Sequence, residues 1–109
     1  MNEREIVVPL LIWLIGGAHI GGSYNDYYAS VTRDPAQPMW GQAVFNYRIA
    51  VERGEDEEER LRVTWYPGVY AYQNTPAADK TDRVFPCAQD SLADVKTWLT
   101  QEMDRFFAD

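Results

Sequence analysis

The feature that most constrains this chain is an uncharged apolar run near its start. Residues 6–15 read IVVPLLIWLI, about half of the ~20 residues that a membrane-spanning helix needs, so no transmembrane helix is expected. A chain that keeps this run must bury it, either as a central strand or as a helix that is apolar on every side. Pro9 cannot donate to a sheet ladder but suits a first helical turn, so we favour a helix over residues 9–15.

The same run has the length of the apolar part of an export signal. The residues before it, MNERE, carry two glutamates and one arginine, whereas an export signal is positively charged at this place. We therefore expect a cytoplasmic protein, with export as the alternative if residues 1–18 act as a signal peptide. The single cysteine, Cys87, leaves no intramolecular disulfide and is more typical of reducing compartments.

Alternating side chains predict antiparallel strands in the middle of the chain. Residues 43–52 and residues 60–65 each alternate between apolar and more polar side chains, which is typical of half-buried strands. Shorter strands are predicted over residues 27–33 and, after a Pro-Gly turn, over residues 69–72. Residues 73–83 are polar and rich in turn formers, which predicts a loop.

The last part of the chain predicts an amphipathic helix. Apolar residues recur at three- and four-residue steps from Leu92 to Phe106, and Ser91 stands where a helix cap is expected. Together these elements predict one α+β domain over residues 1–109, with a three- or four-stranded antiparallel sheet packed by this C-terminal helix. The N-terminal apolar helix or strand is expected on the other face of the sheet or inserted as a strand.

The charge of the chain is acidic and concentrated in one loop. The sequence has 10 basic and 17 acidic residues, a net charge of −7, which disfavours direct binding of nucleic acid. Five carboxylates stand together between the two best strands: Glu55, Asp56, Glu57, Glu58 and Glu59. Such a run steers association with a basic partner, or it is only a solvated loop, partly neutralised by Arg60 and Arg62, that discourages edge pairing.

Aromatic residues make up 14% of the chain, more ring surface than a core of this size needs. Alternation places Tyr66 on the sheet face opposite Trp65, and it places Tyr70 and Tyr72 together on one face. Tyrosine and tryptophan are favoured as interface anchors. The candidate contact residues are Trp40, Tyr66, Tyr70 and Tyr72. The alternative is that these rings are core residues covered by the N-terminal segment.

Two further places in the chain are candidates for chemistry. His19 lies in a Gly-rich turn, where it and Tyr24 suggest an alternative pocket, although a solvated histidine is the commoner interpretation. Cys87 precedes the C-terminal helix, whose dipole lowers the pKa of a nearby thiol, although a buried structural cysteine is favoured. The spacings needed for phosphate loops and zinc sites are absent, so neither a metal nor a cofactor is predicted.

These features favour a binding domain over an enzyme. We expect a small acidic protein-binding module, of the adaptor, inhibitor or immunity type, that uses an aromatic sheet face and the acidic loop. One alternative is a small-molecule-binding domain or modest enzyme with a pocket near His19. The other is a homodimeric structural protein that associates through the edge at residues 69–72.

Overall fold

The computed structural model describes residues 5–38, 41–68 and 71–108. Four antiparallel strands lie in sequence order in one sheet, and a long helix packs against it. The elements are β1 (Tyr27–Thr32), β2 (Val44–Arg53), β3 (Glu59–Pro67), β4 (Thr81–Pro86), α1 (Leu11–Ile15) and α2 (Ser91–Phe107). The prediction of an α+β arrangement with an antiparallel sheet and a C-terminal helix is confirmed.

The strand register divides the sheet into two faces. Tyr47 pairs with Ala29 and Trp65, and Leu61 pairs with Phe85, so these side chains share one face. We call it the helix face because α2 lies on it. The opposite side, here called the outer face, carries Tyr28, Ser30, Asn46, Arg48, Arg62, Thr64 and Tyr66.

The helix α2 covers the helix face with the apolar stripe that its sequence predicts. The buried stripe consists of Leu92, Val95, Leu99, Met103 and Phe107. In the C-terminal half of α2, Glu102 Oε1 accepts a hydrogen bond from the indole Nε1 of Trp65 at 3.1 Å. The prediction that Ser91 caps the helix is wrong, because Ser91 is the first helical residue and Asp90 precedes it.

The N-terminal segment, residues 5–15, lies on the helix face beside α2. Its helix is confirmed but short, since it begins at Leu11 after an extended stretch. Ile6 and Leu14 join the same core as α2, so placement on the other face or as an inserted strand is wrong. The phenol of Tyr47 donates to Val7 O at 2.7 Å and accepts from Val7 N at 3.0 Å. The Tyr47 hydroxyl thus satisfies the backbone N–H and C=O of Val7, which in a strand would bond to the backbone of a neighbouring strand.

The fourth strand begins inside the stretch that was predicted to be a loop. Residues 69 and 70 of the predicted third strand lie outside the described residues, and Tyr72–Asn74 forms a 3-10 turn. The strand predicted over 69–72 is therefore wrong in its described part, and Thr81–Pro86 pairs with β3 instead. Only Phe85 of this edge strand is buried. A strand with both faces in water carries no alternation of polarity, so its sequence resembles a loop.

Candidate protein-binding surface

Residues 55–58 of the acidic run lie in the hairpin loop between β2 and β3, and Glu59 begins β3. Gly54 N donates to Glu58 O at 3.0 Å, and Glu57 turns the chain with a φ of 63°. The side chains of Glu55, Glu57 and Glu58 are exposed. The loop therefore presents a small group of solvated carboxylates at one end of the sheet.

Arginines neutralise part of this loop. The guanidinium of Arg60 contacts Asp56 at 2.5 Å, and that hydrogen bond lowers the pKa of the Asp56 carboxyl. Arg62 does not reach the loop, because it pairs with Glu52 at 2.7 Å and with Asp82 at 3.2 Å on the outer face. The neutralisation expected from Arg60 is confirmed, and that expected from Arg62 is wrong.

The predicted aromatic contact residues are only partly exposed. Trp40 and Tyr70 lie outside the described residues. Tyr66 is on the outer face as predicted, but it is only 4% exposed because the ring of Tyr72 packs against it at 5.9 Å. Burial also raises the pKa of Tyr66. The Tyr66 ring therefore packs beneath the Tyr72 ring, and a direct role of Tyr66 in binding a partner stays a prediction.

Tyr72 itself is half-buried between two cations on the outer face. Arg48 lies 4.7 Å from the centre of its ring, and Lys80 Nζ lies 3.8 Å from it. Arg48 is held in turn by Asp26 at 2.8 Å. Tyr28, which the sequence reasoning missed, contacts Tyr72 at 6.2 Å and is 50% exposed. The Tyr-Tyr pair at the start of β1 was the available signal, since alternation turns one of the two rings to each face.

Within the described residues, several large exposed apolar side chains lie together on the N-terminal segment. Leu10 is 64% exposed, Ile12 is 76% exposed and Trp13 is 45% exposed. Trp13 packs edge-on against Tyr27 of β1 at 6.0 Å, and a shallow depression lies beside this pair. We call Val7, Leu10, Ile12, Trp13 and Tyr27 the N-terminal apolar surface.

The expectation that the apolar run is buried therefore holds for Ile6 and Leu14 and is wrong for Leu10, Ile12 and Trp13. A short helix that lies on a sheet buries only the side that faces the sheet, and in α1 the buried residue on that side is Leu14. The sequence contained a usable signal, because no polar residue interrupts residues 6–15 to supply a solvated side. A run that is apolar on every side leaves apolar groups in water unless something covers both sides.

The alternative pocket has a partial counterpart at the Gly-rich turn. The backbone of His19 lies in the 3-10 turn Ala18–Ile20, while its side chain lies outside the described part of the structure. A depression next to this turn is lined by Ala18, Gly22, Ser23, Tyr24 and Arg53. The Tyr24 hydroxyl donates to Glu59 Oε2 at 2.5 Å, and this bond raises the pKa of Tyr24.

The surroundings of Cys87 disfavour the thiolate form. Burial, with a smaller contribution from the charge of Glu59, raises the pKa of Cys87, so the lowering proposed from the helix dipole is wrong. Within the described ranges, no three side chains of metal-binding type come together. The same ranges contain no helix that is long and apolar enough to cross a bilayer.

The fold and its surfaces define a small α+β domain with an acidic hairpin at one end and an exposed apolar area next to an edge strand. Comparison of this chain with protein-family profiles, with curated protein sequences and with solved structures found no match.

Proposed function

We propose that this domain binds another protein, and that the N-terminal apolar surface is the principal contact. The observation that carries the proposal is the exposure of Leu10, Ile12 and Trp13 on one short segment. Contiguous exposed apolar groups on a folded domain mark interaction sites, and tryptophan is among the residues that dominate binding energy.

The segment that carries this surface is fastened to the domain at several points. Tyr47 holds the backbone of Val7, and Gln89 Oε1 accepts from Leu11 N at 2.9 Å. Asn25 Nδ2 donates to Trp13 O at 2.7 Å. A surface that is already ordered loses less conformational entropy on binding than a flexible tail does. These bonds therefore favour a preformed contact site.

The acidic loop supports a partner with a basic or mixed surface. Glu55, Glu57 and Glu58 are solvated, and clustered charges of one sign accelerate encounter with a surface of opposite sign. The loop adjoins the segment that leads into β1, since Tyr24 bonds to Glu59. We propose that the loop steers association and that the apolar surface holds the complex.

Affinity capture from a host lysate tests the apolar surface. The bait is the wild type, a Leu10→Ser, Ile12→Ser double variant, or a Val84→Glu control. Val84 is an exposed apolar residue on β4 at the opposite edge of the sheet. We expect proteins retained by the wild type and the control to be lost from the double variant. Equal capture by all three proteins, at matched thermal unfolding, would refute the proposal.

A triple Glu55→Gln, Glu57→Gln, Glu58→Gln variant tests whether the acidic loop affects the association rate or the dissociation rate of the complex. Once a partner is identified, we expect a slower association rate and a weaker dependence on salt, with little change in dissociation rate. A variant that dissociates faster but associates normally would place the loop inside the contact instead.

The outer face is the second candidate contact for the same function. Tyr28 and the half-buried Tyr72 form its aromatic part. A Tyr28→Ala, Tyr72→Ala variant in the capture experiment assigns the contact to this face if it loses the partner while the Leu10, Ile12 variant retains it.

A small-molecule site is the alternative that a specific observation favours. The depression beside the Gly-rich turn brings Arg53 and the Tyr24–Glu59 pair to one place. Fragment screening by nuclear magnetic resonance tests it. The expected result is a set of shifts confined to residues around this depression and reduced in Tyr24→Phe. Shifts scattered over the domain, or none, would remove this alternative.

A further inference from the structure

The edge strand β1 carries neither of two features that keep a sheet edge unpaired, charged side chains and proline. Its six residues, YYASVT, include neither a charge nor a proline. The opposite edge, β4, contains Asp82, Arg83 and Pro86. Charges and prolines on edge strands prevent pairing with other chains, and an uncharged edge is a template for an additional strand. The two edges of this sheet therefore differ in their readiness to pair.

We propose that two copies of this chain associate through β1, in antiparallel pairing, to form one sheet that continues across both copies. The proposal rests on the proposed function, because the second copy is then the protein that covers the N-terminal apolar surface. Pairing of identical strands about a two-fold axis is the simplest closed arrangement, since the same patch serves both copies.

Symmetry and charge select the register. Directly opposed residues of antiparallel strands point to the same face of the sheet. The two-fold axis must therefore lie at one residue of β1, which is then opposite the same residue of the other copy. An axis at Ala29 places Tyr27 opposite Val31 on the helix face and Tyr28 opposite Ser30 on the outer face. An axis at Ser30 would instead bring Asp26 of one copy towards Asp34 of the other, which like charges oppose. We therefore assign the axis to Ala29.

The faces that this register brings together match in polarity. The helix-face row across the junction contains Tyr27, Ala29 and Val31 of each copy, so it is apolar or aromatic throughout. The outer-face row contains Tyr28, Ser30 and Thr32 with their hydroxyl groups. Aromatic residues opposite β-branched residues are among the favourable cross-strand pairs.

The N-terminal apolar surface supplies the area that one strand lacks. Stable interfaces bury on the order of 800 Å² per partner, more than a six-residue strand contributes. Trp13 packs on Tyr27 of β1, so the depression lined by Pro9, Leu10, Trp13 and Tyr27 adjoins this edge. The two-fold axis keeps both helix faces on the same side, and the two apolar surfaces therefore flank the junction.

Sedimentation velocity over a concentration series tests the dimer. We expect the wild type to reach twice the mass of the chain, and Tyr28→Glu to weaken the dimer at least tenfold. The new carboxylate would lie at the junction but beside Arg48 of its own copy, so folding should persist. The matched control is Val84→Glu on β4, which also places a glutamate next to an arginine, Arg62. We expect this control to dimerise like the wild type.

A second measurement locates the contact without relying on a variant. Hydrogen exchange of the wild type should slow at residues 27–32 as concentration rises, and exchange at residues 81–86 should stay constant. The Leu10→Ser, Ile12→Ser variant should also weaken the dimer.

Three results would overturn the proposal: a wild type that remains monomeric throughout, a dimer lost in Val84→Glu but kept in Tyr28→Glu, or protection confined to β4. A monomer that still captures a host protein through Leu10 and Ile12 removes the dimer and leaves the proposed function standing. If the chain is monomeric and the Leu10→Ser, Ile12→Ser variant captures the same host proteins as the wild type, both the dimer and the proposed function are refuted.

Discussion

The N-terminal segment and α2 lie side by side on the same face of the sheet, yet they differ in how completely their apolar side chains are buried. In α2 the apolar side chains recur along one stripe, and that stripe is buried while the other side is polar. In the N-terminal segment Ile6 and Leu14 are buried, while Leu10 and Ile12 remain in water. An amphipathic helix on a sheet needs no further cover, whereas a segment that is apolar on every side does. This difference is the basis for proposing the N-terminal segment as the contact with a partner.

Truncation of leucines tests this contrast with the largest expected effect. Leu14 and Leu99 are fully buried, whereas Leu10 is 64% exposed. We expect Leu14→Ala and Leu99→Ala each to lower the free energy of unfolding by about 3 kcal/mol, and Leu10→Ala to change it by less than about 0.5 kcal/mol. Urea unfolding measures all three. If Leu14→Ala costs no more than Leu10→Ala, the N-terminal segment is not part of the core.

The bond between Tyr47 and Val7 tests what fastens the segment. Tyr47→Phe leaves both backbone groups of Val7 without this partner, so we expect a loss of about 1–3 kcal/mol in the free energy of unfolding. Amide exchange at Val7 should accelerate as well. Tyr28→Phe is the matched control, because the Tyr28 hydroxyl contacts Asp26 at 3.4 Å in an exposed position and holds no backbone group of the N-terminal segment. Equal losses from both variants would contradict the anchoring role.

The same phenol gives the domain a pH dependence on the alkaline side. Burial raises the pKa of Tyr47 in the folded state. The folded chain therefore holds this proton more tightly, and stability is complete below the unfolded pKa of about 10 and is lost as the pH rises above it. The decline of unfolding free energy above this pH should be shallower in Tyr47→Phe than in Tyr28→Phe. Parallel pH profiles would exclude Tyr47 as the cause.

The turn that ends α1 offers a smaller perturbation of the same segment. A Cβ on Gly16 would lie 2.8 Å from Ser23 O, and φ there is +57°. We expect Gly16→Ala to cost about 2 kcal/mol. Gly21 also has a positive φ, but a Cβ there would meet no atom within 4 Å, so Gly21→Ala should cost about 1 kcal/mol. Thermal unfolding of the pair isolates the steric contribution, and an equal cost would argue against close packing at this turn.

The ion pair between the two regions should matter least. Lys96 Nζ of α2 lies 3.4 Å from Glu5 Oε1, and both side chains are largely exposed. Exposed pairs contribute about 0–1 kcal/mol, so Lys96→Gln should change the unfolding free energy by less than about 0.5 kcal/mol. A larger loss would mean that charge, and not the contacts of Leu14 and Tyr47, holds the segment against α2.

Sequence reasoning succeeded where the two faces of an element differ in polarity. The helical period in α2 reflects burial on one side. In β2 and β3 the alternation separates apolar side chains on the helix face from more polar ones on the outer face, although most outer-face residues of β2 are buried as well, and the positions of all three elements were predicted closely. β4 was missed because its side chains, apart from Phe85, are exposed, which leaves no alternation to detect. For the candidate site, the acidic loop was found by composition alone. The exposure of Leu10 and Ile12 was missed because an apolar run was equated with burial.

By itself, the sequence determined that the chain forms antiparallel strands and an amphipathic C-terminal helix, and that its acidity is concentrated in one loop. Those properties depend on the period and order of neighbouring residues. Only the tertiary structure decided that the N-terminal segment shares a sheet face with α2, that the ring of Tyr72 packs against Tyr66, and that β1 is an edge strand. These outcomes depend on contacts between residues far apart in the chain, such as the 40-residue separation between Val7 and Tyr47. Local periodicity carries no information about such pairs.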